Sequence, residues 1–356
     1  MDKIFIDLYT DYLIASTGQV TATGLSKLLN NEVSHDKITR SLSQSTFTSV
    51  ELWAIAKPMV RKIQEEDAVL VIDDSVEAKP HSDESELNCW HFDHTVGKSV
   101  KGVNLITCLY YSQNISLPIA YEFVIKPDIV TDKKTGRPTR KAKKTKQQIF
   151  RELLLVCVKN GVIFRYVLCD TWFASAENMI YVKTTLNKEF VMPLKENRKV
   201  SLSPPNTPNR EFVPVTSLTI EKNQTIKVWL EGVDFPLLLT KQVFHNKDGS
   251  TGVLYLVTSD LTLTASEIQA LYKKRWKVEE YHKSLKSNLC FSKSPTHTIR
   301  TQCNHFFLCL VAFIKMEQMR IQLHLNHFAM KGKLYEEALA SAYKYLQQMK
   351  EKCVFV

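Results

Sequence analysis

Two short apolar segments that each end in an aspartate constrain the fold of this chain more than any other feature. Residues 68–73 (AVLVID) and 162–170 (VIFRYVLCD) are rich in β-branched residues, and polar stretches follow both. Segments of this length and composition are typical of strands that are buried on both faces of an α/β sheet. Because function in such sheets gathers at strand ends, we expect Asp73 and Asp170 to mark the working edge.

The segments between and after these two strands predict the rest of a sheet. Residues 75–102 predict a polar loop, and residues 103–112 and 115–125 predict two strands that form a hairpin. Residues 147–161 have the period of an amphipathic helix that stops at a glycine, and residues 189–195 predict a fifth strand. An RNase H-like core has this order of elements: three strands, a helix, a strand, helical material and a further strand.

The flanking segments differ from this core in pattern. Short alternating runs separated by Asn, Pro, Asp and Gly in 196–263 predict antiparallel strands, and a capping box at Thr264 predicts one helix that continues to Asn288. We therefore expect an α/β protein with an RNase H-like mixed sheet. Its predicted parts are a helical N-terminal region that binds DNA or caps the core (1–66), a core in two pieces (67–195 and 264–295), a β-rich insertion (196–263) and a helical C-terminal region (296–356).

The charge of the chain favours a nucleic-acid partner. Lys and Arg number 47 against 37 Asp and Glu, which gives a net charge of +10. Such an excess is typical of proteins that bind polyanions, of which nucleic acid is the commonest. We find no apolar run near ~20 residues and no signal-peptide layout, so we expect no membrane partner. The eight cysteines are scattered without a C-x-x-C pair, as in reduced cytosolic proteins.

Three acidic residues form the candidate catalytic set. Asp73 and Asp170 follow the two apolar runs, and Glu279 lies on the late helix. Carboxylates that are brought together repel one another, and a divalent cation that prefers oxygen ligands, Mg²⁺ or Mn²⁺, relieves that repulsion. Two such ions can activate an attacking oxygen and stabilise a leaving oxygen on a phosphodiester. The alternative is that each acid is a solvated turn residue.

The late helix carries a second pattern around Glu279. Tyr272, Arg275, Glu279 and Lys286 have the spacing Tyr-x2-Arg-x3-Glu-x6-Lys, which places them within roughly 40° of one stripe on a helix. An aromatic ring, two cations and a carboxylate on one face suit a site that holds a DNA end by its phosphates. The alternative is a solvated helix in which Arg275 pairs with Glu279.

These motifs together resemble a known family, the DDE transposases of bacterial insertion sequences that carry the Tyr-Arg-Glu-Lys signature. The resemblance covers about residues 66–295 and includes Asp-x-Ser at 73–75, residues 91–111, Leu-Cys-Asp-Thr-Trp-Phe at 168–173 and the β insertion. It implies that Asp73, Asp170 and Glu279 bind the metal ions, with Asp74 as a rival for Asp73. It also implies that Tyr272, Arg275 and Lys286 contact transposon-end DNA.

The resemblance further implies a reaction and a partner. Activated water would cut at the transposon terminal repeat, and the freed 3′-hydroxyl would attack other phosphodiesters, through a hairpin on the transposon end and then in target DNA. By analogy with this family, we expect a homodimer on double-stranded DNA. We expect it to act in the bacterial cytoplasm, at the nucleoid. Two rival functions stay open: an RNase H-like nuclease or resolvase that cuts without joining, and a domesticated DNA-binding protein.

Several other residues are weaker candidates. Segment 132–146 contains eight Lys or Arg and one acid, so Lys141, Lys143 and Lys144 are predicted to bind phosphate, unless the segment is only a solvated loop. Lys283 and His282, which flank the stripe, are further candidates for phosphate contacts. His91 and His94 with Asp93 and Cys89 could form a transition-metal cluster, but loop structure or a DNA contact is the favoured interpretation. Three tryptophans are candidates for base stacking, although core positions are commoner: Trp90, Trp172 and Trp276.

Overall fold

The computed structural model describes residues 2–93, 96–133, 136–221, 223–245 and 249–352. Helices in these ranges are α1 (Lys3–Ala15), α2 (Ala22–Leu28), α3 (His35–Ser43), α4 (Ser49–Ile63), α5 (Lys146–Lys159), α6 (Ala176–Ile180), α7 (Ala265–Lys273), α8 (Trp276–Asn288), α9 (Ile299–Leu323) and α10 (His327–Lys352). Strands are β1 (Val69–Ala78), β2 (Cys89–Asp93), β3 (Lys98–Ser112), β4 (Ile115–Phe123), β5 (Asp128–Thr131), β6 (Pro138–Lys141), β7 (Tyr166–Cys169), β8 (Glu189–Leu194), β9 (Lys199–Ser201), β10 (Val213–Pro214), β11 (Thr225–Leu230), β12 (Leu237–His245) and β13 (Thr251–Thr258).

One mixed sheet organises the molecule, in the order β10-β9-β11-β12-β13-β8-β7-β1-β3-β2, with β4 paired to β3. β1 pairs parallel with β7 on one side and antiparallel with β3 on the other. The two apolar runs predicted from the sequence are therefore neighbours in the sheet. With helices at both ends of the chain, the structure confirms the predicted α/β class and is consistent with an RNase H-like core.

β1 is longer than the sequence indicates. We predicted that the strand ends at Asp73, but its antiparallel pairing with β3 continues to Ala78, opposite Gly102. The parallel pairing with β7 does stop at this level, where Ile72 lies opposite Cys169. Asp73 and Asp170 are therefore the first residues beyond the parallel pairing of β1 with β7. β7 ends just before Asp170, whereas β1 continues past Asp73.

The predicted polar loop at 75–102 contains a strand, β2, and the first residues of β3. In β2, Cys89 and His91 are buried, whereas Trp90 and Phe92 are exposed. A strand that packs on a core normally buries its large apolar side chains, but β2 exposes Trp90 and Phe92 and buries a histidine. This is why the sequence pattern indicated a loop. The same exposure of Trp90, together with that of Trp172 and Trp276, contradicts the expectation that these tryptophans belong to the core.

The hairpin between β3 and β4 is confirmed. Gln113 and Asn114 have φ angles of 49° and 60°, the left-handed pair that a two-residue type I′ turn requires. The 132–146 segment, in contrast, is not simply a loop. β6 pairs with β5, and Lys146 is the first residue of α5, which Thr145 and Gln148 cap reciprocally.

The strands of the predicted insertion extend the central sheet. β13 pairs antiparallel with β8, β12 with β13, and β11 with β12. The late helix predicted to run from Thr264 to Asn288 is instead two helices, α7 and α8. The backbone N–H groups of Lys274 and Arg275 bond to carbonyls three residues earlier, Leu271 and Tyr272, so one tight turn separates the helices.

The helical ends of the chain pack on the core. α1 and α3 contact α9, and α4 lies on β4. Phe47 stacks on Phe307 with ring centroids 4.6 Å apart. No helix in the described part of the chain is long and apolar enough to cross a membrane. Cysteines in the described ranges are buried and unpaired, and Cys353 lies outside those ranges.

Candidate active site

Two aspartates form the centre of the candidate site. Asp73 is buried on β1, and Asp170 follows β7, where its Oδ1 accepts backbone N–H bonds from Trp172 (3.0 Å) and Phe173 (3.1 Å). Burial, with the charges of Asp170 and Asp74, raises the pKa of Asp73 well above its ordinary value of 3.8. Burial also raises the pKa of Asp170. Burial therefore disfavours the ionised form of both carboxyls, and Arg275 only partly offsets it.

Asp74, the rival of Asp73, has partners of its own. Its Oδ2 accepts hydrogen bonds from Lys146 Nζ at 2.7 Å and from Asn104 Nδ2 at 2.8 Å. Adjacent residues on a strand point to opposite faces, so the two aspartates cannot contact the same groups equally. These contacts favour Asp73 as the available carboxylate.

Arg275 connects Asp73 to the start of α8. Its Nη1 lies 3.7 Å from Asp73 Oδ2 and 3.2 Å from Glu279 Oε1. The ring of Tyr272 lies beneath the same guanidinium, with the centroid 5.8 Å from Cζ. Three members of the predicted stripe are therefore in contact despite the break between α7 and α8, because the tight turn keeps Arg275 one helical turn from Glu279.

A cleft of ≈ 660 Å³ opens over these residues. Its lining includes five acids and four basic side chains: Asp73, Asp74, Asp93, Asp170, Glu279, Arg275, His282, Lys283 and Lys286. Lys286 Nζ lies 3.8 Å from Glu77 Oε2 and donates to the carbonyl of Val76 at 3.4 Å. Lys283 Nζ lies 5.2 Å from the ring centroid of Phe328. The cleft thus combines carboxylates at its base with cations along one wall.

The family of the chain follows from a comparison with known proteins. Residues 4–213 match the model of the DDE superfamily endonucleases. The chain belongs to the DDE superfamily. Asp73 and Asp170 lie within the match, whereas Glu279 lies beyond it. No curated protein matches the chain.

Membership of this superfamily fixes the broad activity. A DDE endonuclease is a nuclease or transposase enzyme that acts on DNA, and such enzymes usually use divalent metal ions. The donors here fit that use in part: Asp73 and Asp170 offer the oxygen ligands that Mg²⁺ and Mn²⁺ prefer, and they lie beside each other at the ends of two paired strands. No group of three or more His, Cys, Asp or Glu placed to hold one ion occurs in the described ranges. Glu279 is instead engaged by Arg275.

Not all the predicted DNA contacts meet at the cleft. Lys141, Lys143, Lys144 and Tyr272 do not line it. Tyr272 lines a neighbouring cavity instead, and Lys144 Nζ is paired with Glu152 Oε2 at 2.6 Å. Lys146, from the same basic segment, does reach the edge of the site through its bond to Asp74. The sequence carries no signal for that bond, since its partners lie in separate elements of the fold.

His282 is a candidate phosphate contact from the sequence that the structure places at the cleft. It is buried, burial lowers its pKa to about 3, and no hydrogen-bond partner for its Nε2 is present among the described residues. It follows Glu279 by three residues, a spacing that places both on one face of a helix.

The transition-metal cluster that we weighed as the alternative for His91 includes no group of three or more His, Cys, Asp or Glu placed to hold an ion in the described part of the chain. His91 Nε2 lies 3.3 Å from Cys89 Sγ inside the sheet, and burial lowers the pKa of His91 to about 3. His94 lies outside the described residues. His91 therefore belongs to a buried strand, and the loop role that we favoured for it is wrong.

Proposed function

We propose that this DDE enzyme is a transposase of the Tyr-Arg-Glu-Lys group that cuts at transposon ends and joins them to target DNA. The observation that carries the proposal is the contact set around Arg275, which joins Tyr272, Asp73 and Glu279 at one edge of the cleft. A nuclease that only cuts has no need of a ring and cations beside the carboxylates to retain the DNA end.

The proposed roles follow from charge and position. Asp73, Asp170 and Glu279 would hold the metal ions, for which Glu279 must release Arg275. When bound, one or two Mg²⁺ or Mn²⁺ ions would supply activation of the attacking oxygen and stabilisation of the leaving oxygen. Burial keeps Asp73 in place, and Asp74 with Lys146 fixes the adjoining part of β1.

The cationic wall is proposed to hold the DNA. Arg275, once released from Glu279, and Lys283 and Lys286 would each pair with a phosphate of the transposon end, and the Tyr272 ring would pack against the same strand. Lys141, Lys143 and Lys144 would contact phosphates farther from the cut. Catalysis would then consist mainly of positioning the phosphodiester and neutralising its charge.

We extend the proposal to the organisation and setting of the protein. The catalytic core is assembled from residues 67–195 and 264–295, with 1–66, 196–263 and 296–356 as accessory regions. Cut-and-paste movement through a hairpin requires two ends to be processed together, so a homodimer on the terminal inverted repeats is expected. The site of action would be the bacterial nucleoid.

A strand-transfer assay tests this function. The protein is mixed with a labelled transposon end, a target plasmid and Mg²⁺, and the products are separated on a gel. Joined product supports a transposase. Cut ends without joining would instead support a nuclease or resolvase, and bound but uncut DNA would support a domesticated binding protein.

Variants of Arg275, Tyr272 and Lys286 test the roles assigned to the DNA contacts. Arg275→Ala, Lys286→Ala and Tyr272→Ala are expected to retain the fold but to lose stable paired-end complexes and the hairpin step. For Tyr272 the loss is about 1–3 kcal/mol of binding if the ring stacks on a base. Lys273→Ala is the control, because it leaves the contact set intact. If Lys273→Ala impairs the complexes as much as Lys286→Ala, the proposed DNA grip is wrong.

A further inference from the structure

The first turn of helix α5 contacts both of the segments that carry the candidate aspartates. α5 begins at Lys146, and the reciprocal cap formed by Thr145 and Gln148 fixes this end of the helix. The body of α5 packs against β3 and β4 of the central sheet. Lys146 bonds to β1, and its neighbour Gln147 bonds to the turn that follows β7. Two adjacent residues of one helix therefore reach two different strands.

Lys146 holds the strand that carries Asp73. Its Nζ donates to Asp74 Oδ2 at 2.7 Å, and the two side chains are only 21% and 17% exposed. The fully buried Asn104 donates to the same oxygen at 2.8 Å. Because neighbouring side chains of a strand point to opposite faces, these bonds hold β1 from the face opposite Asp73. They do not occupy the Asp73 carboxylate.

Gln147 holds the turn that carries Asp170. Its Nε2 donates to the carbonyl of Trp172 at 2.9 Å, and its Oε1 accepts a bond from Asn178 Nδ2 at 2.5 Å. Asn178 is fully buried and also donates to the carbonyl of Phe173 at 2.9 Å. The carbonyl of Trp172 and the N–H of Phe173 belong to one planar peptide unit, and that N–H donates to Asp170 Oδ1. Gln147 and Asp170 therefore hold opposite sides of the same peptide unit.

These contacts lie where the sheet itself no longer holds the two strands together. The parallel pairing of β1 with β7 ends at Ile72 and Cys169, one residue before each aspartate. Beyond that point, the two carboxylates repel each other when both are ionised. Mg²⁺ accepts only near-ideal octahedral geometry with oxygen ligands at about 2.0–2.1 Å, so a small change in the separation of the carboxylates weakens its binding. Contacts that fix both segments from one helix oppose such a change.

We propose that Lys146 and Gln147 are positioning residues that hold Asp73 and Asp170 ready for a divalent cation before DNA binds. This inference rests on the metal-ligand role that the proposed function assigns to the two aspartates. It does not depend on whether the enzyme joins DNA ends. Removing a group that orients a metal ligand through hydrogen bonds typically costs about 10–100-fold in metal affinity. The effect of Lys146 and Gln147 should therefore appear in cation affinity even without DNA.

Titration of the full chain with Mn²⁺ in the absence of DNA tests this role, with free Mn²⁺ measured by electron paramagnetic resonance. Lys146→Met and Gln147→Leu should each raise the Mn²⁺ dissociation constant about tenfold. Loss of a nearby positive charge would by itself tighten cation binding, so weaker binding by Lys146→Met reports lost positioning. Lys146→Arg retains a cation for Asp74 and should bind Mn²⁺ nearly as tightly as wild type.

Cleavage of a labelled DNA end gives a second measurement. The Mg²⁺ concentration that gives half of the maximal rate should rise by the same factor in Lys146→Met and Gln147→Leu. The rate at saturating Mg²⁺ should stay close to that of wild type, because the metal ligands themselves are retained. A substitution that only loosened the fold would instead lower the rate at every Mg²⁺ concentration.

Lys159→Met is the matched control, because it removes the same charge from the exposed last turn of α5 and should leave both measurements unchanged. Circular dichroism in EDTA checks that each variant is folded, and Gln147→Met replaces Gln147→Leu if the latter is not.

Three results would overturn the proposal: a wild-type protein that binds no Mn²⁺ without DNA, variants at positions 146 and 147 that bind it as tightly as wild type, or equal weakening by Lys159→Met. Weaker Mn²⁺ binding by these variants of a protein that cuts but does not join DNA would support the positioning role and contradict the transposase proposal alone.

Discussion

Two buried carboxylate centres in this protein have opposite electrostatic environments. Glu317, on α9, accepts bonds from Arg320 at 3.0 and 2.9 Å and lies 3.0 Å from His327 Nε2. Burial alone would raise the pKa of Glu317, but His327 and Arg320 outweigh it and lower the pKa below 4.5. Asp73, in contrast, shares Arg275 with Glu279, and its pKa is raised.

The difference separates a structural acid from acids suited to a reaction. The charge of Glu317 is balanced by groups of the same fold, so it joins α9 to the start of α10 and needs nothing from outside. The aspartates at the cleft are left with negative charge that their surroundings do not balance. Carboxylates with perturbed pKa values in a cleft are typical of functional sites. Here the closely placed negative charges of the aspartates favour binding of an added cation.

The largest expected effect is on cleavage by Asp73→Asn. Removal of this carboxylate should remove most of the metal's contribution, about 4 kcal/mol or about a thousandfold in rate. DNA-end binding should survive, and in EDTA the variant should unfold at a higher urea concentration than wild type because a repelling charge is gone. Cleavage and urea titrations measure the two effects. Asp74→Asn is the matched control, and strong cleavage by Asp73→Asn with none by Asp74→Asn would reverse the assignment.

The next largest effect is on stability. Glu317→Ala leaves the buried His327 and the half-buried Arg320 without their carboxylate partner, and it should lower the free energy of unfolding by about 3–5 kcal/mol. Glu280→Ala removes an exposed acid that pairs with Lys277 at 2.9 Å, and it should change that free energy by about 0.5 kcal/mol or less. Urea denaturation followed by tryptophan fluorescence gives both values. Equal losses would show that Glu317 is not a structural centre.

The pH dependence of stability should differ in sign between the two centres. Because the pKa of Glu317 is lowered on folding, its contribution is present above pH 4.5 and is lost as the pH falls through the folded-state pKa. The pKa of Asp73 is raised, so in EDTA its charge should destabilise the fold increasingly as the pH rises above 3.8. Unfolding free energies of Glu317→Gln and Asp73→Asn, each subtracted from wild type across this range, should therefore change in opposite directions. Parallel changes would remove the distinction between the centres.

The smallest effects are expected at exposed charges far from both centres. Lys143→Ala should flatten the log-log salt dependence of DNA binding by roughly 0.9 if that side chain contacts one phosphate. Lys144→Ala should change the slope less, because Glu152 already competes for this ammonium group. Binding titrations at several salt concentrations compare the two. An unchanged slope for Lys143→Ala would mean that the segment is only solvated.

The sequence predicted the parts of the fold that depend on local pattern. Apolar runs identified β1 and β7, and turn residues identified the Gln113–Asn114 hairpin. β2 was missed because its apolar side chains point outward. The break before Arg275 was missed because every residue there is compatible with a helix.

The side-chain pairs of the site were less accessible to prediction. The contact of Arg275 with Glu279 follows from helical spacing, and it was foreseen as an alternative. The bond of Lys146 to Asp74 and the contact of His327 with Glu317 join segments that are far apart in the sequence. Helical and strand periodicity therefore cannot predict them. Composition indicated the basic surface but not which lysines are already paired.

The continuity of β13 with β8 has a consequence for any attempt to shorten this protein. Deletion of residues 196–263 would leave the backbone of β8 unpaired along the side that β13 now covers. Phe190, Val191 and Met192 of β8 are buried, so the new edge would be apolar. Exposed apolar edges recruit strands from other molecules, and a truncated enzyme is therefore expected to aggregate before its chemistry could be measured.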